Sequence, residues 1–248
     1  ANCVRLTRTV GGVVQPVLED VALEQILQAP TSYGMPILFP YAGRVAGGQF
    51  SWRGTTYRAE PSRHGLVRQR SWEVVHRTDS LLACQTTVRS TLDGGFPHHF
   101  CAIVNYRLND AGLNVVVMVI NQGAAFPYLF GVHPYFHAPA ASVVVVPARQ
   151  RWVLDNGRIP TDQLTNVSGD DDLRYGRLLF GKTFDEVLTD LVADTAVKPM
   201  VTCAITTGAV ATHVRFSGRD YPNVCVYAPP GRSAVCVEPY TGAPDAFH

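Results

Sequence analysis

Residues 113–136 read LNVVVMVINQGAAFPYLFGVHPYF, and the fold turns on how this stretch is read. Residues 113–120 (LNVVVMVI) are too short for a membrane span, and they are rich in the β-branched side chains that fit a pleated surface. Their second half is apolar almost throughout, which predicts a strand buried on both faces or an internal strand of a sandwich. A loop with Gly123 and Pro127 follows, and then the segment 131–137, GVHPYFH, where polar and planar side chains crowd between glycine and proline. Outward from here the same signals recur. Short apolar runs at 142–146, 201–206, 210–216, 223–228 and 234–237 are separated by Gly, Pro, Asn and Asp. Residues 210–216 (VATHVRF) alternate apolar and polar, as a strand with one wet face does. Helical spacing is confined to residues 17–29, ended by Pro30, where two short strands are equally possible, and to one or two turns over 184–193 (FDEVLTDLVA). The chain of 248 residues shows no linker, repeat or composition shift. The reading is all-β: one large antiparallel β-sandwich domain over residues 1–248, with few short helices.

Composition narrows the function classes. Hydrophobic residues make up 46% and charged residues 17%, which describes a globular chain. A net charge of +1 gives no bulk attraction to nucleic acid or to an acidic membrane. No apolar run reaches the ~20 residues that cross a bilayer. The opening ANCVRLTRTV lacks the apolar centre of a secretory signal, so a cytoplasmic protein is expected. None of the six cysteines is spaced C-x-x-C. Cys101, Cys203, Cys225 and Cys236 fall inside apolar runs and read as free core thiols rather than disulfides or metal ligands.

Three segments place reactive side chains at the ends of apolar runs: 62–72 (SRHGLVRQRSW), 131–137, and 236–240 (CVEPY). His133 lies between Val132 and Pro134 and reads either as a desolvated functional histidine or as a core histidine tied to a carbonyl. Glu238 closes the apolar run AVCV. It is either a strand-end surface glutamate or a buried carboxylate that needs a partner. Asp185 can cap a short helix, and Arg63, Arg68 and Arg70 can form a solvated loop or meet an anion. His98 and His99 are sequence neighbours, which on a strand face opposite ways, so they are weak as a metal pair. Trp72, Tyr135, Phe136 and Tyr240 stand beside the polar candidates. Flat apolar rings next to hydrogen-bonding groups suit a sugar, and a histidine with a carboxylate makes an acid–base pair.

Read in order, five segments resemble the aldose 1-epimerase (galactose mutarotase-like) family: MPILFPYAGRVAGGQF from Met35, RHGLVRQRSWEV from Arg63, the stretch 113–136, FDEVLTDL from Phe184, and VCVEPYTGAPDAF ending at Phe247. Gly43-Arg44 stands where the family often has Asn-Arg, and the first thirty residues show no clear match. The resemblance implies a β-sandwich whose groove holds a small-molecule sugar, an aldohexose or its 6-phosphate. It implies His133 as the acid toward the ring oxygen and Glu238 as the base toward the anomeric hydroxyl. It further implies His64 and Asp185 on substrate hydroxyls, Arg44 near Glu238 or the sugar, and Arg68, Trp72 and Tyr135 in the substrate site. No cofactor and no metal are expected, and a monomer or homodimer suffices. Three rival readings stand beside this one. A hexose-6-phosphate mutarotase would use Arg63, Arg68 or Arg70 with Arg44. A glycoside hydrolase would use Asp185 and Glu238. A sugar-binding module would not catalyse at all.

Overall fold

A computed structural model describes residues 1–89, 95–96, 98–195 and 197–248. Strands dominate, and every ladder between them is antiparallel. The largest sheet has eight strands. From one edge they run Pro160–Asn166, Ala148–Leu154, Phe184–Leu191, Asn223–Ala228, Ala234–Tyr240, Gly131–Val132 and Ile37–Leu38, with Tyr135–His137 also pairing to Ala234–Tyr240. Two four-stranded sheets and two hairpins complete the description.

The large sheet is read most easily from its central strand Ala234–Tyr240, in which every residue is buried. Successive side chains of a strand point to opposite faces. Val235 and Val237 enter the main core with Val224, Val226 and Leu188 from the neighbouring strands. That core also takes Val104, Ala102 and Phe100 from one four-stranded sheet and Val201, Cys203 and Ile205 from the other, so the sheets share one apolar interior. Each fully buried valine contributes about 1.5–3 kcal/mol, and the core holds the strand's register. Register in turn commits Cys236, Glu238 and Tyr240 to the opposite face. There Tyr240 joins a smaller cluster with Leu38, Tyr41, Phe50 and Val187.

Two sequence expectations are corrected. Residues 184–193 are not helical: Phe184–Leu191 is a strand between Ala148–Leu154 and Asn223–Ala228. Its apolar residues satisfy both periods, and pairing on two sides selects period two, with Phe184 and Leu188 in the main core and Val187 in the smaller cluster. The strand Gly112–Asn121 is not buried on both faces. It ends its sheet, with Leu113, Val115, Val117 and Val119 against the core and Val116, Met118 and Ile120 about half exposed. Of residues 17–29, Leu23–Gln28 is helical. Cys84, Cys101, Cys203, Cys225 and Cys236 are buried free thiols, and Cys3 is a partly buried one.

Candidate active site

The face of the large sheet away from the main core carries rows of side chains set by the ladder. Asp185 pairs with Tyr227, Tyr227 with Cys236, and Cys236 with Tyr135. One step along, Val187 pairs with Cys225 and Cys225 with Glu238. Next comes Tyr240, paired with Asn223 and Gly131. Hydrogen-bond register alone thus gathers Asp185, Tyr227, Glu238 and Tyr240 from three strands, the first of them remote in sequence from the other two. Together with residues from the loops they line a cavity of about 260 Å³.

Glu238 and His133 form the centre. Glu238 is 1% exposed and His133 6%. His133 Nε2 lies 3.3 Å from Glu238 Oε1, and the Tyr240 hydroxyl donates to Glu238 Oε2 at 2.6 Å. Burial pushes the Glu238 carboxyl well above the usual carboxylate range. The Asp185 charge adds to this, and the Tyr240 hydrogen bond opposes it. Burial, reinforced mainly by the Arg68 charge, lowers His133 to about 3. Both displacements favour uncharged partners. Burial thus favours neutral imidazole with carboxylic acid over imidazolium with carboxylate, two arrangements that differ by one proton passed between the partners.

The imidazole is fixed by a stacked column. Tyr135, two residues on, lies almost parallel to it at 4.6 Å. The Arg232 guanidinium sits 4.7 Å from the Tyr135 ring and 4.4 Å from that of Tyr33. Arg232 is itself clamped by both carboxylate oxygens of Glu19. Gly131 is required beside Tyr240, since a Cβ there would stand 2.5 Å from the tyrosine ring.

His64 meets His133 edge to face at 5.3 Å. It adopts a left-handed φ of 64°, followed by Gly65 at 71°, whose added Cβ would collide with the Phe39 carbonyl at 2.3 Å. The Gly43 N–H donates to His64 Nδ1 at 3.2 Å, which leaves the ring proton on Nε2. Burial and the charges of His133, Arg68, Arg63 and Arg44 hold His64 well below its ordinary value, so it is a neutral donor.

Most of the sequence candidates line this cavity: His133, Glu238, His64, Asp185, Arg44, Arg68 and Tyr135. Trp72 does not. Its indole N–H donates to the Val67 carbonyl at 3.2 Å, and its ring packs against the main core. Arg70 reaches toward the Thr87 carbonyl instead. The arginine whose charge acts on Glu238 is Arg63 rather than Arg44. Sequence reading missed Arg158, Tyr227 and Arg232, which also line the cavity. Arg158 and Arg232 sit in ordinary turns (NGR, PPGR) and Tyr227 inside a strand, and nothing local marks them.

His133, Cys236 and Glu238 bring donor atoms within 4.8 Å of one another, a mixed set of the kind that takes a transition ion. Burial raises the Cys236 thiol as well as the Glu238 carboxyl, so protons compete strongly with a cation for both.

A buried histidine–carboxylate pair under a polar cavity, on one face of a large antiparallel sheet, makes a candidate acid–base site on a galactose mutarotase-like β-sandwich. The fold agrees with that of a galactose mutarotase-like protein from Clostridium acetobutylicum (TM-score 0.81, 21% identity, 100% of this chain and 85% of that one). It agrees equally with a GalM/aldose epimerase homologue from C. elegans (TM-score 0.83, 18% identity, 100% and 85%). The model of the family Aldose 1-epimerase matches residues 7–247, and the chain belongs to that family. The match thus begins well before Met35, where the recognisable motifs start. Among curated relatives, the uncharacterized protein YihR of Escherichia coli K12 is 29% identical over 149 residues, which cover 54% of this chain and 47% of YihR. The aldose 1-epimerase of the same organism is 25% identical over 183 residues, 68% of this chain and 53% of that protein. The aligned part spans about half the length of these relatives. Among the described residues, no helix is long and apolar enough to cross a membrane.

Proposed function

We propose that this protein is a mutarotase, which interconverts the α and β anomers of an aldose by opening and reclosing its cyclic hemiacetal. The observation that carries the reading is the 3.3 Å approach of His133 Nε2 to Glu238 Oε1 within the cavity. Ring opening removes a proton from the anomeric hydroxyl and delivers one to the ring oxygen, and both oxygens are bonded to the same carbon. An acid and a base that serve two geminal oxygens must themselves be close neighbours. In the charge-separated form, Glu238 takes the hydroxyl proton and the anomeric C–O bond becomes a carbonyl. The bond from that carbon to the ring oxygen breaks, and its electron pair receives the proton from His133. After rotation about the adjacent C–C bond, the same groups run the step in reverse on the other carbonyl face. Protons and electrons balance over the cycle, so the chemistry calls for no cofactor.

The surroundings suit a sugar. His64 offers an N–H, Asp185 a carboxylate and Tyr227 a hydroxyl for ring hydroxyls, while Tyr135 holds the acid in place. Asp185 is oriented by Arg158, whose Nε lies 3.3 Å from its Oδ2. The test is polarimetry on freshly dissolved α-D-glucose, α-D-galactose and α-D-glucose 6-phosphate. Decay of rotation is expected to quicken for at least one of them. A placed acid or base contributes about 10²–10⁴-fold, and His133→Ala and Glu238→Gln should each lose a factor in that range while keeping the far-ultraviolet spectrum of the parent. A His133→Ala protein that retains most of its activity would refute the assignment.

A further inference from the structure

One buried thiol is set apart from the others. Cys84 and Cys203 pack in the main core and Cys225 in the smaller cluster, whereas Cys236 belongs to neither. It shares a strand face with Glu238 at a spacing of two, with Tyr135 and Tyr227 as its ladder partners. The acid–base chemistry gives it no task. Its sulfur, the imidazole of His133 and the carboxylate of Glu238 nevertheless bring donor atoms within 4.8 Å of one another. All three residues are buried, Cys236 completely. An ion held tetrahedrally by bonds of about 2.0–2.3 Å needs donors about 3.3–3.8 Å apart. His133 Nε2 and Glu238 Oε1 already stand at that spacing, 3.3 Å. The sulfur has to close by no more than about 1 Å.

We propose that Cys236, His133 and Glu238 form a binding site for a thiophilic divalent cation of the zinc type, and that the bound ion shuts the acid–base pair down. Thiolate, imidazole and carboxylate together are a donor set that zinc takes, whereas hard ions such as magnesium keep to oxygen. Charge favours the filled site. One thiolate and one carboxylate cancel the dication, so the complex adds no unpaired charge to the interior. The thiol and carboxyl protons leave to solvent as the ion enters. Asp185 adds negative charge nearby, against which Arg63 and Arg68 act. The cavity leads to the site, because His133 and Glu238 line it, and water from it can take the fourth position. His64 is not the fourth ligand: its Nδ1 accepts from the Gly43 N–H, and its Nε2 carries the proton. Cys225 is not the sulfur, since its thiol is turned toward Asp185 Oδ1 at 4.0 Å. The imidazole nitrogen and carboxylate oxygen that hold the ion are the groups that the mutarotase reading uses for the proton. Inhibition therefore rests on that reading, and binding does not.

The experiment titrates chelator-treated protein with zinc in a calorimeter and with cobalt(II) in a spectrophotometer. Stoichiometric binding is expected, and cobalt should show the near-ultraviolet absorption of thiolate-to-metal charge transfer. Loss of a group that merely orients a ligand costs about 10- to 100-fold in metal affinity. Cys236→Ala and Cys236→Ser remove a ligand itself, so each should weaken zinc by at least about 100-fold and lose the cobalt band, whereas Cys225→Ala keeps both. The parent protein alone already decides much: no binding, or cobalt bound without a thiolate band, overturns the site. Zinc affinity unchanged in both Cys236 variants overturns it as well. Anomer exchange is followed by polarimetry alongside, with whichever of the three sugars responds. Zinc should stop exchange in the parent and a chelator restore it, while Cys236→Ser should resist zinc at the concentration that silences the parent. Exchange that continues with zinc bound overturns the proposal and leaves the mutarotase reading standing. If no sugar is exchanged, the mutarotase reading fails, and the zinc and cobalt titrations decide the site by themselves.

Discussion

Tyr240→Phe tests the proton arrangement at the centre of the site. The substitution keeps the ring that fills the space over Gly131 and removes only the hydroxyl that donates to Glu238 Oε2 at 2.6 Å. Glu238 and Tyr240 are each 1% exposed, so bulk water does not reach the bond directly. Hydrogen bonds to charged groups contribute about 1.5–3 kcal/mol. This one stabilises the carboxylate over the carboxylic acid, because burial already drives Glu238 toward the acid form. In the proposed mechanism proton transfer draws on the imidazolium–carboxylate form, which burial disfavours relative to the neutral pair. Removing the donor lowers its population, and kcat at the pH optimum with it, by about 10- to 100-fold. The sign of the pH effect follows. A carboxyl that has lost a hydrogen bond to its charged form holds its proton more tightly, so the alkaline limb of the rate profile moves to higher pH. The assay is the initial rate of anomer exchange across the pH range, with the thermal midpoint recorded to show an intact fold. A Tyr240→Phe protein with parental kcat and an unmoved alkaline limb would mean that the hydroxyl does not support the base, and the shared-proton account would be wrong.

Four further outcomes are expected. Glu238→Gln abolishes exchange yet stabilises the fold, because a carboxyl raised by burial contributes stability below its unfolded value and loses it as pH rises; urea midpoints should show the gain to be larger at about pH 8 than at about pH 4. Gly131→Ala drives a methyl into the Tyr240 ring and to 3.0 Å from Ala42 Cβ, so it should cost about 1–3 kcal/mol in urea unfolding and reduce exchange as Tyr240→Phe does. Glu19→Gln leaves Arg232 without its carboxylate behind Tyr135, with an expected loss of about 1–3 kcal/mol in the same assay. Trp72→Phe removes a hydrogen bond to the Val67 carbonyl outside the cavity, lowering stability by about 0.5–1.5 kcal/mol while kcat/KM stays parental.

The class of the fold was legible because strand signals are local. Residues 201–206, 210–216, 223–228 and 234–237 are β-branched and bounded by turn residues, and each lies in a strand of the structure. Local reading failed where two periods fit the same residues. In FDEVLTDL, Phe184, Val187, Leu188 and Leu191 fall at helical spacing, while strand pairing on both sides is invisible in one segment. It failed also at residues 113–120, where composition could not distinguish an internal strand from one at the end of its sheet.

The site was legible only as far as its chemistry is compressed into single segments. Glu238 and Tyr240 share one strand face at a spacing of two, and His133 precedes the Tyr135 that stacks on it by the same spacing. One register therefore fixes both partners of the first pair, and the second spans the short link between two strands. Arg158, Tyr227 and Arg232 enter through three-dimensional pairing, Tyr227 by its ladder partners Asp185 and Cys236 and Arg232 by a carboxylate 213 positions away. These long-range contacts also separate the matched arginines from the unmatched ones. In the sequence, Arg44, Arg63, Arg68, Arg158 and Arg232 are equivalent cations. In the fold, Glu19 answers Arg232, Asp185 and Glu186 answer Arg158, and Arg44, Arg63 and Arg68 have no ion-pair partner among the described residues. The motifs single out His133 and Glu238, whereas the pairing of charges around them is encoded by no motif.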